Sequence, residues 1–260
     1  MSGCSRIAPF PAASTGNDLV SLEATRPERT TLPRFYSRIL TAAEQDGYCP
    51  LEPYRLPFDH YVWLCWSVKE AVYKYQKRQI PELVFSPLRI SIRQIVPPSD
   101  PDGFYQATVE GAPTPGPAST PGPVRPPADG APAIADGASA PSPANSSAAA
   151  LYARSLIRDG VIVTTVCDNE AFAGTYWGFS SIDSPAYADQ SAAVRTLLLG
   201  ELETVLSRDD LRLQKDPAGC PIVLAGDQPL AIPVSLAHHH RHIAYSYRLP
   251  DHAAQAQRSA

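Results

Sequence analysis

The residues WSVKEAVYK at positions 66–74 lie inside the strongest helix candidate of the chain, residues 60–79. This stretch contains neither glycine nor proline, and Pro81 follows it, so we predict one long helix that ends before the proline. On a helix, Glu70 and Lys74 are four residues apart and share a face. Such a pair is either an ordinary exposed salt bridge or, in a site, a carboxylate that binds magnesium beside an ammonium that stabilises an anionic leaving group.

Short stretches rich in β-branched and aromatic residues predict strands on both sides of this helix. They are NDLVSLEA from residue 17, LRISIRQIV from 88, FYQATVEG from 104, SLIRDGVIVTTVC from 155 and LRLQKD from 211. The segment 155–167 reads as a single buried strand. A second amphipathic helix is predicted at residues 191–206, where leucines recur at helical spacing.

Residues 111–150 differ in composition from the rest of the chain, with ten prolines, twelve alanines and five glycines. Such a segment cannot bury enough apolar surface to offset the entropy of ordering, so we predict a disordered insert. The insert divides one domain into a first part, residues 16–110, and a second part, residues 151–250. Residues 1–15 are predicted to be a flexible N-terminus and residues 251–260 a polar tail.

The composition narrows the possible function classes. The 260 residues carry a formal net charge of −4, which argues against general nucleic-acid binding but permits a local basic patch for an acidic partner. The five cysteines are widely spaced and form no CxxC, so neither a disulfide framework nor a cysteine zinc site is expected. The sequence has no apolar run long enough for a secretory signal or a membrane span, so we expect a soluble cytoplasmic protein.

Two more segments carry residue types suited to a site. Asp18 follows Gly16 at the head of an apolar strand, where a carboxylate is either a solvated turn residue or a ligand for a hard cation. His238 and Arg241 belong to SLAHHHRH at residues 235–242, which is either a polar turn or a phosphate-binding entrance to a strand. Zinc binding by the three consecutive histidines is not favoured, because neighbouring strand residues point to opposite faces.

In this order and with these flanks, the segments resemble the 4'-phosphopantetheinyl transferase superfamily. GNDLVSL is similar to the family's first acid motif, WSVKEAVYK to its W-(S/T)-x-K-E-(A/S)-x-x-K helix, and LPRFYSRILTAAE to a helix of holo-acyl-carrier-protein synthases. LRLQKDPAGCPIVL and PVSLAHHHRHIAYSY resemble its strand–turn and histidine segments. The motif order is that of the small holo-acyl-carrier-protein synthases. The resemblance covers residues 16–90 and 150–248, and the sequence has no second copy of the motif set.

The resemblance implies an α+β fold, in which helices pack on a small, mostly antiparallel sheet. It also implies a Mg²⁺-dependent transfer of 4'-phosphopantetheine from coenzyme A to a serine of a carrier protein of fatty-acid, polyketide or peptide synthesis. Asp18 and Glu70 are the implied magnesium ligands. Glu70, or a water held by the metal, takes the serine proton, and Lys74 stabilises or protonates the departing 3',5'-ADP.

By the same resemblance, Lys69 and His238 contact the phosphates of coenzyme A, and Arg241 is a further contact. Arg34 and Arg38 match the family's docking helix, on which residues four apart share a face. Because carrier proteins are acidic around their serine, this helix is expected to bind the carrier by charge.

Four positions depart from the family pattern: Ala237 stands where serine is usual, His240 where glycine is usual, Cys220 within the strand–turn, and Val20, two residues after Asp18, in place of a third acid, which suits the small synthases. The altered histidine segment motivates an alternative, a non-catalytic carrier-binding member of the same fold. A homo-oligomer is a further expectation, since the histidine segment of small synthases reaches across subunits, although the extra length of this chain could supply that contact internally.

Overall fold

The computed structural model describes residues 14–48, 56–100, 102–110 and 150–250. The predicted N-terminus up to residue 13, the predicted insert up to residue 149 and the predicted tail lie outside the described residues. Five α-helices occur in the described parts: α1 Pro27–Thr30, α2 Pro33–Tyr36, α3 Ala42–Asp46, α4 Phe58–Lys77 and α5 Tyr187–Leu206; two short 3₁₀ helices lie at Leu22–Ala24 and Pro87–Arg89. No helix of the described chain is both long enough and apolar enough to cross a membrane.

Eleven strands complete the described elements. They are β1 Gly16–Ser21, β2 Ser91–Val96, β3 Tyr105–Glu110, β4 Ala150–Arg158, β5 Val161–Cys167, β6 Thr175–Ser181, β7 Leu211–Lys215, β8 Pro221–Ala225, β9 Gln228–Pro229, β10 Val234–His239 and β11 His242–Arg248. They form three sheets with the orders β1-β5-β4-β3-β2, β10-β11-β6 and β7-β8-β9. All pairings between these strands are antiparallel, so the predicted α+β class is confirmed.

The long helix α4 packs on the five-stranded sheet, and the resemblance implied such packing of a helix on a sheet. Val62, Val68 and Val72 are fully buried in a cluster with residues of β1, β3, β4 and β5. The helix approaches β1 closely at Gly16, where an added Cβ atom would lie 2.0 Å from the Ala71 carbonyl oxygen. Glycine at this position therefore lets the strand that carries the acid motif lie directly against the helix that carries WSVKEAVYK.

The described chain folds as two halves, residues 16–167 and 175–248, and the second half repeats the connectivity of the first. Strand β1, helix α4, the β2–β3 hairpin and the β4–β5 hairpin form the first half; β6, α5, the β7–β8 hairpin and the β10–β11 hairpin follow in the same order. In both halves the opening strand pairs with the last strand, β1 with β5 and β6 with β11. The repeat is in topology, since the sequence has no second motif set.

The two halves are joined along β1 and β10. Leu19 and Val163 of the first half pack with Ala237, Ala244 and Trp177 of the second. Because Ala237 is buried in this contact, a small side chain suits the position.

Hydrogen bonds from the edge of β1 tie it to the second half. The backbone amide of Asn17 donates to Ser235 Oγ at 3.0 Å, and the backbone amide of Ser21 donates to His239 Nδ1 at 2.9 Å. These bonds fix the position of the histidine segment relative to the acid motif.

Two local predictions are wrong in detail. Residues 155–167 form a hairpin rather than one strand, because Asp159 and Gly160 both have positive φ and turn the chain, as Asp-Gly pairs favour. Helix α2 ends at Tyr36, so Arg38 lies in the following turn and not one helical turn beyond Arg34. A capping box formed by Thr41 and Glu44 is present at the start of α3.

Candidate active site

Asp18, Glu70 and Lys74 meet where β1 crosses α4. Lys74 Nζ lies 3.0 Å from Asp18 Oδ1 and 3.5 Å from Glu70 Oε1. The Asp18 side chain is 6% exposed, whereas those of Lys74 and Glu70 are about a quarter exposed. The structure therefore brings together the three residues that the two sequence motifs singled out, with the strand carboxylate at the bottom and the helix pair towards solvent.

Burial and the neighbouring charges set the protonation behaviour of this group. Burial raises the pKa of Asp18 to about 6; Lys74 acts against this shift and Glu70 adds to it. Burial alone would lower the pKa of Lys74, but Asp18 and Glu70 together outweigh it and raise that pKa. Near neutral pH Asp18 is therefore mostly ionised and Lys74 is protonated.

The donor set fits a hard divalent cation. Asp18 Oδ2 is buried and has no hydrogen-bond partner among the described residues, so one carboxylate oxygen at the bottom of the site is uncommitted. The described residues contain no group of three His, Cys, Asp or Glu side chains placed to hold a metal. Mg²⁺ needs no such group, because it usually binds one or two carboxylates and completes its shell with water and phosphate oxygens.

A cleft of ≈ 300 Å³ opens beside Lys74 and is lined by both halves of the chain. The end of α4, one face of α5, the β7–β8 turn and strand β10 form its walls. Its cationic residues are Lys74, Lys77, Arg78, Arg195 and Lys215, together with His238. None of the residues described as lining it is acidic, so the cleft favours an anionic ligand.

The cations of the cleft differ in how they are bonded. Lys77 Nζ donates to the carbonyl oxygens of Pro81 and Leu83, and the Arg78 guanidinium donates to those of Pro221 and Val234. Burial lowers the pKa of Arg78. Lys77 and Arg78 therefore use their donors to hold the backbone segments that form the wall of the cleft.

Two other cations of the cleft have no partner within the described chain. Arg195, on α5, and Lys215, at the end of β7, form no hydrogen bond or ion pair with the described residues. They are therefore available to an incoming anion, and both belong to the second half.

The three consecutive histidines have three different environments. His238 lines the cleft, and its ring centroid lies 5.1 Å from that of Tyr187, at the first residue of α5. His239 Nδ1 accepts the hydrogen bond from Ser21, while His240 Nδ1 is 2.9 Å from Glu23 Oε1. Their side chains do not converge, as expected from the alternation of a strand.

His240 has φ of 56°, in the left-handed region that glycine adopts most readily. This explains why a glycine suits the turn, and histidine is among the residues that tolerate this conformation. The substitution of His240 for the usual glycine therefore changes the turn's strain and not the cleft.

Lys69 does not contact the cleft, so its predicted role as a coenzyme A contact is corrected. Its side chain is fully buried on the opposite side of α4 from Lys74, where Nζ is 2.6 Å from Glu44 Oε2 and 2.7 Å from the Ile39 carbonyl oxygen. Glu44 also accepts hydrogen bonds from the backbone amides of Thr41 and Ile92. Lys69 thus anchors α3 and β2 to α4.

The remaining predicted contacts lie at the surface. Arg241 is exposed in the β10–β11 turn and is not among the residues that line the cleft. Arg34 and Arg38 are exposed, and so are their neighbours Arg26 and Arg29. These four arginines, hereafter the arginine patch, lie on the first half around α1 and α2.

The sequence patterns did not reveal four cations of the cleft. Lys77 and Arg78 follow Lys74 by three and four residues, so the helical periodicity that linked Glu70 to Lys74 could have identified them. Arg195 and Lys215 have no comparable local signal, because only the packing of the second half against α4 brings them to the cleft.

Comparison with known proteins agrees with the sequence motifs. The family model described as the 4'-phosphopantetheinyl transferase superfamily matches residues 14–119. The matched region contains β1 and α4, and hence Asp18, Glu70 and Lys74, but ends before the histidine segment. The match confirms the resemblance that the motifs indicated. No curated protein matches the chain significantly.

Proposed function

Since residues 14–119 match the 4'-phosphopantetheinyl transferase superfamily, we propose that the chain transfers 4'-phosphopantetheine from coenzyme A to a serine of an apo carrier protein and releases 3',5'-ADP. The proposed reaction depends on Mg²⁺ and is of the holo-acyl-carrier-protein synthase type. Its proposed location is the cytoplasm, where coenzyme A and carrier proteins meet.

One observation carries the proposal: an acid pair with a shared lysine stands at the edge of a cleft whose charged lining residues are all cationic. Binding and cleaving a pyrophosphate requires both a carboxylate pair that can hold the metal and a cationic surface that can hold the anion. Asp18 and Glu70 would hold Mg²⁺, which when bound would neutralise charge on the pyrophosphate as its bond breaks. The cationic cleft would hold the rest of the anion, with Arg195 and Lys215 as the uncommitted contacts and His238 beside them.

The chain's own residues have separable tasks in this reaction. The carrier serine oxygen forms a bond to the β-phosphorus, and the bond from that phosphorus to the bridging oxygen breaks. Glu70, which is partly exposed, accepts the serine proton directly or through a water. The bridging oxygen leaves with 3',5'-ADP, and Lys74, which also lines the cleft, stabilises its charge.

The arginine patch is the proposed docking surface for the carrier protein. Arg26, Arg29, Arg34 and Arg38 are exposed, and the chain as a whole is acidic, with a net charge of −4. A local positive surface on an acidic protein attracts an acidic partner selectively, and the attraction weakens with salt.

Both halves of one chain line the cleft. His238 of the second half and Lys74 of the first line the same cleft, so the proposed reaction requires no residue from another copy. Ala237 is buried between the halves and His240 lies in the turn, so neither departure from the family pattern removes a charged group from the cleft. This favours an active transferase over a carrier-binding protein without activity.

The test is transfer to a purified apo carrier protein with coenzyme A and Mg²⁺, followed by mass spectrometry of the carrier. We expect a mass gain of one phosphopantetheine group, and none with Glu70→Ala. Glu82→Ala, an exposed glutamate beyond the end of α4, is the matched control and should keep transfer. Carrier binding without any mass gain, at high enzyme and with several carriers, would refute the transferase and support the carrier-binding alternative.

A further inference from the structure

The Lys74 ammonium lies between the carboxylates of Asp18 and Glu70, where a metal ion shared by the two would also lie. Its Nζ is within 3.5 Å of both Asp18 Oδ1 and Glu70 Oε1. We propose that Lys74 is a built-in counter-ion that keeps free divalent ions off the carboxylate pair, so that the metal binds together with the pyrophosphate of coenzyme A. This inference rests on the proposed function and adds to it an order of binding.

The charge balance around the pair supports this order. Two carboxylates and one ammonium leave a net charge of −1 when all three are ionised. A divalent ion alone would turn this into a net positive charge beside a cleft that already carries Lys77, Arg78 and Arg195. Repulsion between cations is strong at a partly buried site, since its effective dielectric constant is well below that of water. A pyrophosphate arriving with the ion restores the balance.

The geometry also provides a place for the displaced ammonium. Lys74 lines the cleft as well as contacting the carboxylates, and its flexible stem lets Nζ move between the two. Asp18 Oδ2 has no partner among the described residues, so a second oxygen is free for the ion when Nζ leaves Oδ1. When the metal displaces Lys74 Nζ from the carboxylates, the ammonium can therefore move into the cleft and contact the phosphates.

The test measures binding and not turnover. Mn²⁺ serves as the probe, in calorimetric titrations of the full chain at about pH 8, where Asp18 is ionised, without carrier protein so that no transfer occurs. Coenzyme A should tighten Mn²⁺ binding to the wild-type protein about tenfold or more, a coupling that must be reciprocal. Titration of coenzyme A alone with Mn²⁺ corrects for direct chelation.

Lys74→Met is the decisive variant. It should bind Mn²⁺ alone about tenfold more tightly than wild type, because the competing charge is gone, and should show a smaller effect of coenzyme A. Arg208→Met, which removes an exposed cation outside the cleft, should leave the affinity for Mn²⁺ alone unchanged. Lys74→Gln, verified by circular dichroism, repeats the measurement if the methionine variant folds poorly.

The outcomes separate this inference from the proposed function. Equal or weaker Mn²⁺ binding by Lys74→Met, or wild-type binding that is indifferent to coenzyme A, would overturn the counter-ion role even if transfer occurs. If the wild-type protein shows the predicted coupling and Lys74→Met binds Mn²⁺ alone more tightly, but the protein modifies no carrier, the counter-ion role stands and the transferase proposal fails. Asp18→Asn should abolish the tightening of Mn²⁺ binding by coenzyme A. If Asp18→Asn still shows this tightening, the inference is also overturned.

Discussion

Replacing Lys69 with methionine should destabilise the fold and leave substrate binding intact. Lys69 is fully buried, and its ammonium is 2.6 Å from Glu44 Oε2. Removing one member of a buried ion pair typically costs about 3–5 kcal/mol, because the other charge stays buried. The amides of Thr41 and Ile92 continue to donate to Glu44, which places the expected loss near the lower limit, about 3 kcal/mol. For a chain of this size that corresponds to a fall in Tm of about 6–12 °C.

The assay combines urea unfolding with the Michaelis constant for coenzyme A. We expect Lys69→Met to lower the free energy of unfolding while its KM for coenzyme A stays within about twofold of wild type. Lys215→Met should give the reverse result, a raised KM with unchanged stability, since Lys215 is exposed at the cleft. In a double-mutant cycle with Glu44→Gln, the two losses should be less than additive by about 1–3 kcal/mol.

The reasoning would be refuted by the opposite pattern. If Lys69→Met keeps wild-type stability and raises the KM for coenzyme A about tenfold or more, Lys69 contacts the substrate in solution and the buried pair is not its role. Additive losses in the cycle would show that the 2.6 Å contact to Glu44 contributes no coupling.

Three further predictions concern Gly16, where β1 meets α4, and two histidines at the end of β10. Gly16→Ala, whose Cβ would lie 2.0 Å from the Ala71 carbonyl oxygen, should cost about 3 kcal/mol in urea unfolding and abolish transfer by moving β1. Burial lowers the pKa of His239 in the folded protein below its ordinary value of 6.5. As the pH falls, the His239 imidazole is therefore protonated in the unfolded chain before it is protonated in the folded one. The free energy of unfolding should be greatest above about pH 6.5 and should decrease as the pH falls towards the lower pKa of the folded state. This loss should shrink in His239→Asn, whose amide oxygen can still accept from Ser21, and an unchanged pH profile would contradict the assignment. His240→Gly should raise stability by about 0.5–1 kcal/mol, because glycine accepts the φ of 56° without strain; a fall in stability would mean that the contact with Glu23 outweighs the turn.

The parts of the fold that could be predicted depend on local sequence. Helix α4 was predictable because its apolar spacing, its lack of breakers and Pro81 all point to one element. The meeting of Asp18 with Glu70 and Lys74 could be anticipated only through the resemblance, since neither segment alone indicates that β1 lies on α4. Gly16 supplies the physical reason for that contact, and it becomes evident only when the helix backbone is seen at close range.

Other features could not be read from the sequence because they depend on distant parts of the chain. Lys69 has the same local surroundings as an exposed helix lysine, and its burial is decided by Glu44, twenty-five residues away in the chain. Arg195 becomes a cleft residue only because α5 packs on β10 and β11 and so faces α4 across the cleft. By contrast, the turn at Asp159–Gly160 had a local signal, and the continuous apolar residues on both sides concealed it.

The repeated topology has a consequence for how many reactions one polypeptide can host. Thr164, the fourth residue of β5, pairs with Asp18, and Tyr245, the fourth residue of β11, pairs with Gly178. A Cβ at residue 178 would lie 2.7 Å from the Tyr245 hydroxyl oxygen, so a side chain there would have to displace the Tyr245 ring. The second half therefore contributes lining residues to the cleft but carries no acid at this paired position, and in the proposed reaction one polypeptide would bind one coenzyme A molecule.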